Sequence, residues 1–397
     1  MTVIAEVCEV NPRLRSPLGQ DEMVAFVGMA DLDAESATAT DRELRVVADV
    51  SKGYTSFERG DVLVAKITPC FENGKIGQAT TSTQVAFGST EFHVLRPMGE
   101  SIDRRYLLHF LRRGEILQLG EMRMTGAGGQ RRVPARLFEE LEIPLPPIEE
   151  QQRIAAVLDA ADALRAKRRR ALAKLDTLTQ AIFTDMFGGG GRAPVNPGPV
   201  SEAHPMGWKW VPVTDVAKTG TGHTPDRSVA EYWDGEISWV NLNEIRRFDG
   251  RWCLGTHTRI TPAGVANSSA VLHPRETVCF SRTASIGFVT LMSAPMTTSQ
   301  DFVTWTCGDK LNPAYLMQAL LVARDTLRAS SSGSTHKTIY VRDAARFSIL
   351  LPPRELQDTF AARLSSVDGI RARMEANIRP LDDLFASAQQ RAFQGEL

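Results

Sequence analysis

The sequence predicts a mixed α+β fold in which two pseudo-repeated globular α/β domains are separated by two long antiparallel coiled-coil helices. Three observations predict it. The chain contains one long segment twice, each copy carries the apolar spacing of a coiled coil, and short strand-like runs punctuated by glycine precede each copy. At 397 residues, with 43% hydrophobic and 23% charged positions, the chain is long enough for at least two cores.

The internal repeat fixes this architecture. The first copy begins LPPIEEQQRIAAVLDAADALRAK, and the second begins LPPRELQDTFAARLSSVDGIRAR. Pro146 and Pro352 are 206 positions apart, and the same shift pairs Phe187 with Phe393 without a gap. A repeat of this length indicates that the chain consists of two copies of one unit.

Each copy is predicted to form a helix of about 40 residues, which spans roughly 60 Å. In the second copy apolar residues recur at alternating steps of four and three, and Arg371 alone interrupts the run. This spacing requires a partner helix, and an antiparallel pairing of the two copies is the simplest solution. Pro380 predicts a kink. The residues predicted to pair the helices, or to meet a partner, are Ile154, Leu158, Leu172, Leu175, Ile182, Phe360, Leu364, Val367, Met374, Ile378, Leu381 and Phe385.

The repeat divides the chain into five segments. The predicted order is a first globular domain (1–147), a central long helix (148–187), a flexible Gly/Pro-rich linker (188–206), a second globular domain (207–352) and a C-terminal long helix (353–397). In the first domain the pattern predicts one amphipathic helix over Ile102–Leu119 and a final strand over Phe138–Leu145.

Composition excludes several protein classes. No apolar run reaches membrane length, and the N-terminus lacks the pattern of a secretion signal. Five widely spaced cysteines without a CxxC predict reduced thiols in a cytoplasmic protein. The net charge of −1 carries no bulk signature of nucleic-acid binding, so a DNA site has to come from local clusters of basic residues.

Common catalytic motifs are absent from the sequence. A P-loop before Gly74-Lys75 would need glycine where Pro69 stands, and GxGxxG, HExxH and GxSxG do not occur. The Asn/Asp-Pro-Pro-aromatic motif of amino-methyltransferases is missing, and Asp226 and Glu236 lack the lysine of a magnesium-dependent nuclease. We therefore expect a non-catalytic chain that holds no metal and no cofactor of its own.

Two matched loop regions concentrate basic and polar side chains suited to DNA. The first set is Lys66, Asn73, Lys75, Gln130, Arg131 and Arg132, and the second is Ser281, Arg282, Thr283, Ser285, Thr335, His336 and Lys337. Such side chains reach phosphates and base edges. For any single residue a solvated loop is an equally good interpretation, but the occurrence of both sets at equivalent places favours binding. The basic run Lys167–Arg170 is expected to face solvent or a partner subunit. Core packing is the expected role of Trp208, Trp210, Trp233, Trp239 and Trp252.

Several segments of the sequence resemble those of a known protein family. GWKWVPVTDVAKTGTGHTP followed by YWDGEISWVNLNEI, the PCFENGK segment and the doubled domain–helix order resemble the specificity subunit (HsdS) of type I restriction-modification systems, over essentially the whole chain. The resemblance implies two target-recognition domains, each contacting one part of a split, asymmetric double-stranded DNA sequence. It also implies helices that set the gap and dock two methyltransferase subunits, which use S-adenosylmethionine. A restriction subunit, where present, would use ATP and Mg²⁺.

Two rival hypotheses remain at this stage. One is a coiled-coil adaptor that holds two protein partners apart without touching DNA, and salt-sensitive DNA binding separates it from the first hypothesis. The other is a self-sufficient methyltransferase, which binding of S-adenosylmethionine by the purified chain would support.

Overall fold

The computed structural model describes residues 1–15, 17–127, 129–188, 190–331 and 337–396. It divides into two compact units. Unit 1 comprises Met1–Leu172 and Arg373–Leu397, and unit 2 comprises Ala173–Ala372. Each unit holds one globular domain of mixed helix and sheet together with parts of both long helices. The predicted mixed fold class with two repeated domains and long paired helices is confirmed.

In the part of unit 1 that the structure describes, the strands form three sheets. In spatial order, the sheets consist of Thr2–Val3 and Glu142–Ile143; of Glu43–Val46, Met23–Val27, Val85–Gly88 and Thr55–Glu58; and of Cys8–Val10, Phe92–Pro97, Val62–Ala65, Ile76–Ala79, Thr38–Ala39 and Leu32–Asp33. The helices of this domain are Ile4–Val7, Met29–Asp31 (3₁₀), Val47–Val50, Arg104–Leu111, Gly114–Arg123 and Arg136–Glu140. Alternate strand residues face a common core, as in the Val62, Val64 and Ile76 cluster.

Two local predictions for unit 1 are wrong. The expected single helix over Ile102–Leu119 is two helices, because the first ends at Leu111 and the second begins at Gly114. Of the expected strand over Phe138–Leu145, only Glu142–Ile143 is a strand, and its first three residues belong to a short helix that ends at Glu140. A short apolar run fits a buried strand and a buried helix equally well, so its spacing could not decide between them.

The described residues of unit 2 also form three sheets. In spatial order, they consist of Val195–Asn196, Ser348–Leu351 and Lys209–Pro212; of Ala217–Thr221, Phe302–Cys307, Val278–Ser281, Val289–Met292 and Arg251–Cys253; and of Arg259–Ile260, Trp233–Val240 and Thr297–Thr298. The helices of this domain are Val213–Asp215 (3₁₀), Ala230–Tyr232 (3₁₀), Leu242–Ile245, Arg246–Phe248 (3₁₀), Pro262–Ala266, Pro313–Val322, Arg324–Ala329 and Val341–Ala344.

The segment 188–206 is not a flexible linker throughout. Val195–Asn196 forms an edge strand that pairs antiparallel with Ile349 and Ser348, and Val195 is 1% exposed. The carbonyl of Pro194 also accepts a hydrogen bond from the Leu350 amide at 2.9 Å. Glycine and proline content predicted a surface linker, but two residues are enough to complete the edge of a sheet.

The first long helix spans Ile148–Phe187, and the second is interrupted into Arg354–Ala376 and Ile378–Gln394. The interruption lies at Asn377, three residues before Pro380, where a kink is predicted. Pro380 has no amide hydrogen to donate to the carbonyl of Ala376, so the regular helical ladder cannot continue across this turn.

The helices pack antiparallel within each unit, since the start of one lies against the end of the other. In unit 1 Ile154 and Leu158 share an apolar cluster with Phe393, and in unit 2 Phe183 shares one with Phe360. Among the residues predicted to pair the helices, those that are buried are Ile154, Leu158, Leu175, Phe360, Leu364 and Val367. Those that are half-buried are Leu172, Ile182, Met374, Ile378, Leu381 and Phe385.

The polar interruptions of this seam are ion pairs. In unit 1 Arg165 binds Asp382 at 2.7 Å, and in unit 2 Arg371 binds Asp176 at 2.7 Å. Arg165 and Arg371 are equivalent by the repeat, as are Asp176 and Asp382. Arg169, from the basic run assigned to solvent or a partner, binds Asp382 at 2.9 Å, so part of that run pairs the helices instead.

Each long helix is tied to its own domain by a buried glutamine. The Gln151 side chain accepts a hydrogen bond from the Asp103 amide at 2.9 Å and donates to the carbonyls of Ser101 and Pro146 at 2.9 and 2.8 Å. Its repeat partner Gln357 forms the same three bonds, and both side chains are 0% exposed. The repeat thus extends to individual hydrogen bonds.

Candidate nucleic-acid interface

In unit 1 two sequence-distant loops meet beyond the strand Val62–Ala65. The Lys66 amide donates to the Glu91 carbonyl at 2.8 Å, and the Lys66 carbonyl accepts from the Val133 amide at 2.8 Å. The Thr68 amide donates to the Arg131 carbonyl at 3.0 Å. These bonds join the loop that carries Lys66, Asn73 and Lys75 to the loop that carries Gln130, Arg131 and Arg132.

Unit 2 repeats the same backbone scaffold. The Arg282 amide donates to the Asp301 carbonyl at 2.9 Å, and the Arg282 carbonyl accepts from the Ile339 amide at 3.0 Å. An isolated bridge between Thr283 and Thr338 matches the one between Ile67 and Arg132. Arg282 therefore occupies the place that Lys66 has in unit 1, and the two loop regions are structurally equivalent.

The loop side chains of unit 1 differ in how freely they can meet a ligand. Asn73 and Gln130 are exposed, and Lys66 is half-buried. The Lys75 ammonium donates to the Met29 carbonyl at 2.8 Å, which leaves two of its hydrogens for other acceptors.

The two arginines of this loop are held by the protein itself. Arg131 donates to the Glu121 carbonyl at 2.7 Å. Arg132 forms a two-pronged ion pair with Glu91, with the closest contact at 2.7 Å, and this hydrogen-bonded pairing lowers the pKa of Glu91. The Glu91 carboxylate therefore largely balances the positive charge of Arg132. Lys66 and Lys75 lie on the same joined loops.

In unit 2 the structure corrects one predicted contact. Ser281 is 0% exposed, and its hydroxyl closes the turn by accepting from the Phe288 amide at 2.9 Å, so its side chain cannot reach a ligand. Thr283 donates to the Asp301 carboxylate at 2.7 Å, and Ser285 accepts from Arg246 at 3.0 Å. Lys337 is exposed.

Arg282 links this turn to the neighbouring loop. Its guanidinium donates to the Gln300 carbonyl at 2.6 Å, and the side chain is half-buried. The predicted contacts Thr335 and His336 lie outside the described residues.

An open cleft of about 580 Å³ adjoins the same turn in unit 2. We call it the tryptophan cleft. Its lining consists of Thr224, Arg227, Trp233, Trp239, Asn241, Leu242, Asn243, Thr258, Ser299, Gln300 and Asp301. The sequence predicts core packing for its tryptophans. Trp239 is buried, at 2% exposed, whereas Trp233 is only half-buried. The available signal was the amide-rich stretch Asn241–Asn243 directly after the strand that carries both rings.

Three of the five cysteines are deeply buried. Cys8, Cys253 and Cys279 are buried, and burial raises the pKa of Cys8 to about 12 and that of Cys253 to about 11, so these thiols stay protonated at neutral pH. Among the described residues, no group of three or more His, Cys, Asp or Glu side chains is arranged to hold a metal ion. Within the same residues, every helix falls short of the length and apolarity needed to span a membrane.

Comparison with known proteins identifies the family. The family model of the type I restriction modification DNA specificity domain matches residues 4–174 and again residues 205–379. The chain belongs to this family. The two matches coincide with the two copies of the repeat, and the resemblance inferred from the sequence is confirmed.

Two curated relatives each match a little under half of the chain. The EcoAI specificity subunit of Escherichia coli is 36% identical over 189 residues, which is 46% of this chain and 31% of the relative. The EcoEI specificity subunit of the same organism is 36% identical over 183 residues, with the same shares. The match thus spans less than a third of each relative. Specificity subunits of type I systems are non-catalytic, and both relatives carry that name.

Solved structures share the fold over the full length. A chain from a study of complex assembly and conformational transition of the type I R-M system has a TM-score of 0.62 at 20% identity, and the match covers 100% of this chain and 97% of that one. The type I S subunit of M. genitalium has a TM-score of 0.57 at 10% identity, covering 99% and 95%. The two-domain architecture is therefore that of known S subunits.

Proposed function

We propose that the chain is the DNA-specificity subunit of a type I restriction-modification complex and recognises a bipartite, asymmetric DNA sequence, with one half read by each domain. The observation that carries this proposal is the duplicated loop scaffold with different side chains. Lys66 is replaced by Arg282, Arg132 by Thr338, and the acidic partner Glu91 by Asp301, on the same pattern of backbone hydrogen bonds. Recognition of two different half-sequences requires different side chains on a common scaffold.

The side chains of the two loop regions suit the two parts of DNA recognition. Lys66, Lys75 and Lys337 carry charges that phosphates attract, which supplies affinity without sequence preference. Asn73 and Gln130 are exposed amides, and an amide can donate to and accept from one adenine edge in the major groove. The proposal therefore assigns positioning to the lysines and base reading to the amides.

The helices offer a surface for two copies of one partner. Leu164 and Leu384 in unit 1 are 53% and 65% exposed, and Leu178 and Ile370 in unit 2 are 43% and 46% exposed. The repeat relates Leu164 to Ile370 and Leu178 to Leu384, so the two units carry the same apolar pair. In unit 1 the pair directly precedes Arg165 and Phe385, and in unit 2 it directly precedes Thr179 and Arg371, so within each unit both residues lie on the same flank of the paired helices. We propose that each pair docks one methyltransferase subunit.

The chemistry belongs to the partners in this proposal. S-adenosylmethionine is assigned to the methyltransferase subunits, and ATP and Mg²⁺ to restriction subunits where the system has them. This chain selects the double-stranded DNA sequence on which the partner subunits act.

Exchange of one domain tests the proposal. Residues 207–352 are replaced by the second domain of another family member, and the methylated sequence is mapped in cells that carry the partner methyltransferase. The expected result is a new second half-sequence with the first half and the spacing unchanged. A change in both halves contradicts one-domain, one-half recognition, and an unchanged methylation pattern favours the adaptor hypothesis.

A further inference from the structure

The tryptophan cleft lies beside the loops that the proposed function assigns to DNA in unit 2. We propose that it reads bases of the half-sequence assigned to the second domain, with Arg227, Asn243 and Gln300 as the side chains that determine specificity. This inference rests on the proposed DNA-binding function and extends it beyond the loops that the sequence singled out.

Two tryptophans of the cleft lining form an anchored aromatic pair. Trp233 and Trp239 meet edge to face with ring centroids 5.3 Å apart. Each indole N–H is anchored, because Trp233 donates to the Asp226 carbonyl at 3.0 Å and Trp239 to the His223 carbonyl at 3.1 Å. Side chains fixed in this way keep their orientation when a ligand arrives, so little conformational entropy is lost on binding.

Arg227 stands over this platform. Its guanidinium carbon lies 5.8 Å from the Trp233 ring centroid and 5.9 Å from the Trp239 centroid, within the range of cation–π attraction. The Arg227 residue is exposed. An arginine oriented by aromatic rings and open to solvent can donate two parallel hydrogen bonds to the O6 and N7 atoms of guanine.

Amide groups line the rim of the cleft. Asn243 and Gln300 are exposed, and the Gln300 side-chain oxygen accepts from the Thr224 hydroxyl at 2.6 Å. Asn243 follows Asn241, whose side chain caps the short helix Leu242–Ile245 and fixes its start. Hydrogen-bond donors and acceptors therefore line one open cleft. Base pairs in the major groove differ in their pattern of donors and acceptors, so such a lining can distinguish them.

The cleft is continuous with the loop surface already described. Gln300 supplies the carbonyl that Arg282 binds at 2.6 Å, and Asp301 binds Thr283 at 2.7 Å. Hydrogen bonds through Gln300 and Asp301 therefore join the cleft to the loop equivalent to that of Lys66. A duplex whose phosphates lie against the loop would bring a groove toward the cleft.

Unit 1 carries a related arrangement at the same strand position. Phe26 pairs with Phe87 on a parallel neighbour as Trp239 pairs with Thr297, and the Ser89 amide donates to Val27 as the Ser299 amide donates to Val240. Phe26 is therefore the counterpart of Trp239.

The Phe26 ring also has an aromatic and a cationic neighbour. Tyr54 meets it edge to face with centroids 5.0 Å apart, and the Arg45 guanidinium carbon lies 3.5 Å from its centroid. An aromatic pair with an arginine over it thus occurs in both domains, although different segments supply the arginine. Recurrence at one position of a duplicated fold favours a shared role over chance packing.

The test is methylation mapping of the assembled complex with the variants Arg227→Ala, Arg227→Lys and Asn243→Ala. Two controls match them outside the cleft: Arg275→Ala, an arginine 5.7 Å from the Trp252 ring, and Asn267→Ala, an exposed asparagine. The wild-type chain and the exchange of residues 207–352 first define which half-sequence belongs to the second domain.

Each cleft variant should relax at least one position of that half by about tenfold or more, with the other half unchanged. Arg227→Lys should relax it too, because lysine keeps the charge and loses the planar fork. The two controls should keep the wild-type motif.

Three results would overturn base reading by the cleft. The first is that the cleft variants retain the wild-type motif at full stringency. The second is a uniform loss of methylation at all sites without a change of motif, which would assign the cleft to phosphate binding. Both leave the proposed function intact. The third is a wild-type chain that directs no motif, which refutes the proposed function itself. Tryptophan emission spectra of the purified complexes establish that the variants are folded.

Discussion

Replacement of the buried glutamines by alanine gives the most direct stability test of the repeat. Gln357→Ala removes one acceptor from the Asn312 amide and one donor each from the carbonyls of Lys310 and Pro352. A typical hydrogen bond contributes about 1 kcal/mol net, so the loss of three predicts a fall of about 3 kcal/mol in the free energy of unfolding. Gln151→Ala should cost about the same, because Gln151 forms the same three bonds.

The tryptophans allow this loss to be localised. All six lie between Trp208 and Trp305, so intrinsic fluorescence during urea unfolding reports on unit 2, whereas far-ultraviolet circular dichroism reports on the whole chain. Gln357→Ala should shift the fluorescence-detected transition, and Gln151→Ala should shift chiefly the dichroism-detected one.

Gln152→Ala is the matched control, since Gln152 is the same residue type, adjacent to Gln151 and exposed. It should change the free energy of unfolding by less than about 0.5 kcal/mol. A loss of less than about 1 kcal/mol for Gln357→Ala, or a control as destabilised as Gln151→Ala, would refute the conclusion that these bonds hold each helix to its domain.

Three further predictions follow from the site and the helices. Burial opposes ionisation of Asp159, but hydrogen bonds from His109 and Arg105 outweigh it and lower the carboxyl pKa to about 2. The stabilisation is therefore complete above the usual aspartate pKa near about 4 and is lost as the pH falls toward about 2. Asp159→Asn should cost about 1 kcal/mol at neutral pH and flatten the acid-unfolding curve over that interval, whereas an unchanged curve contradicts the assignment. The double variant Leu164→Glu/Leu384→Glu should leave one bound methyltransferase copy of two by native mass spectrometry, and retention of both copies would exclude this docking surface. DNA affinity should fall by at least about 10³-fold between roughly 50 and 200 mM salt in anisotropy titrations, and a flat response would favour the adaptor.

The helices and their pairing were predictable because their cause is local. An apolar stripe that repeats every three to four residues can be buried only against another stripe, and Phe360, Leu364 and Val367 are buried accordingly. The position of the helix break followed from one proline. The edge strand at Val195 was not predictable, because a two-residue strand is defined by its partner in the sheet rather than by its own composition.

The site was only partly predictable for a similar reason. Sequence identifies which residues are basic or polar, but not which of them the protein itself binds. Arg132 is neutralised by Glu91, and Ser281 is buried under its own turn. The tryptophan cleft was missed because its lining comes from separate segments, with Arg227, Asn243 and Gln300 brought together only by the sheet order.

Genome-wide methylation mapping tests the central claim most directly. The host strain carries the neighbouring methyltransferase gene with or without the gene for this chain. We expect one split motif, with two short specific halves around an unread gap, that disappears when this chain is deleted. A methylation pattern that is the same in both strains, while the methyltransferase is active, would contradict the assignment of DNA specificity to this chain.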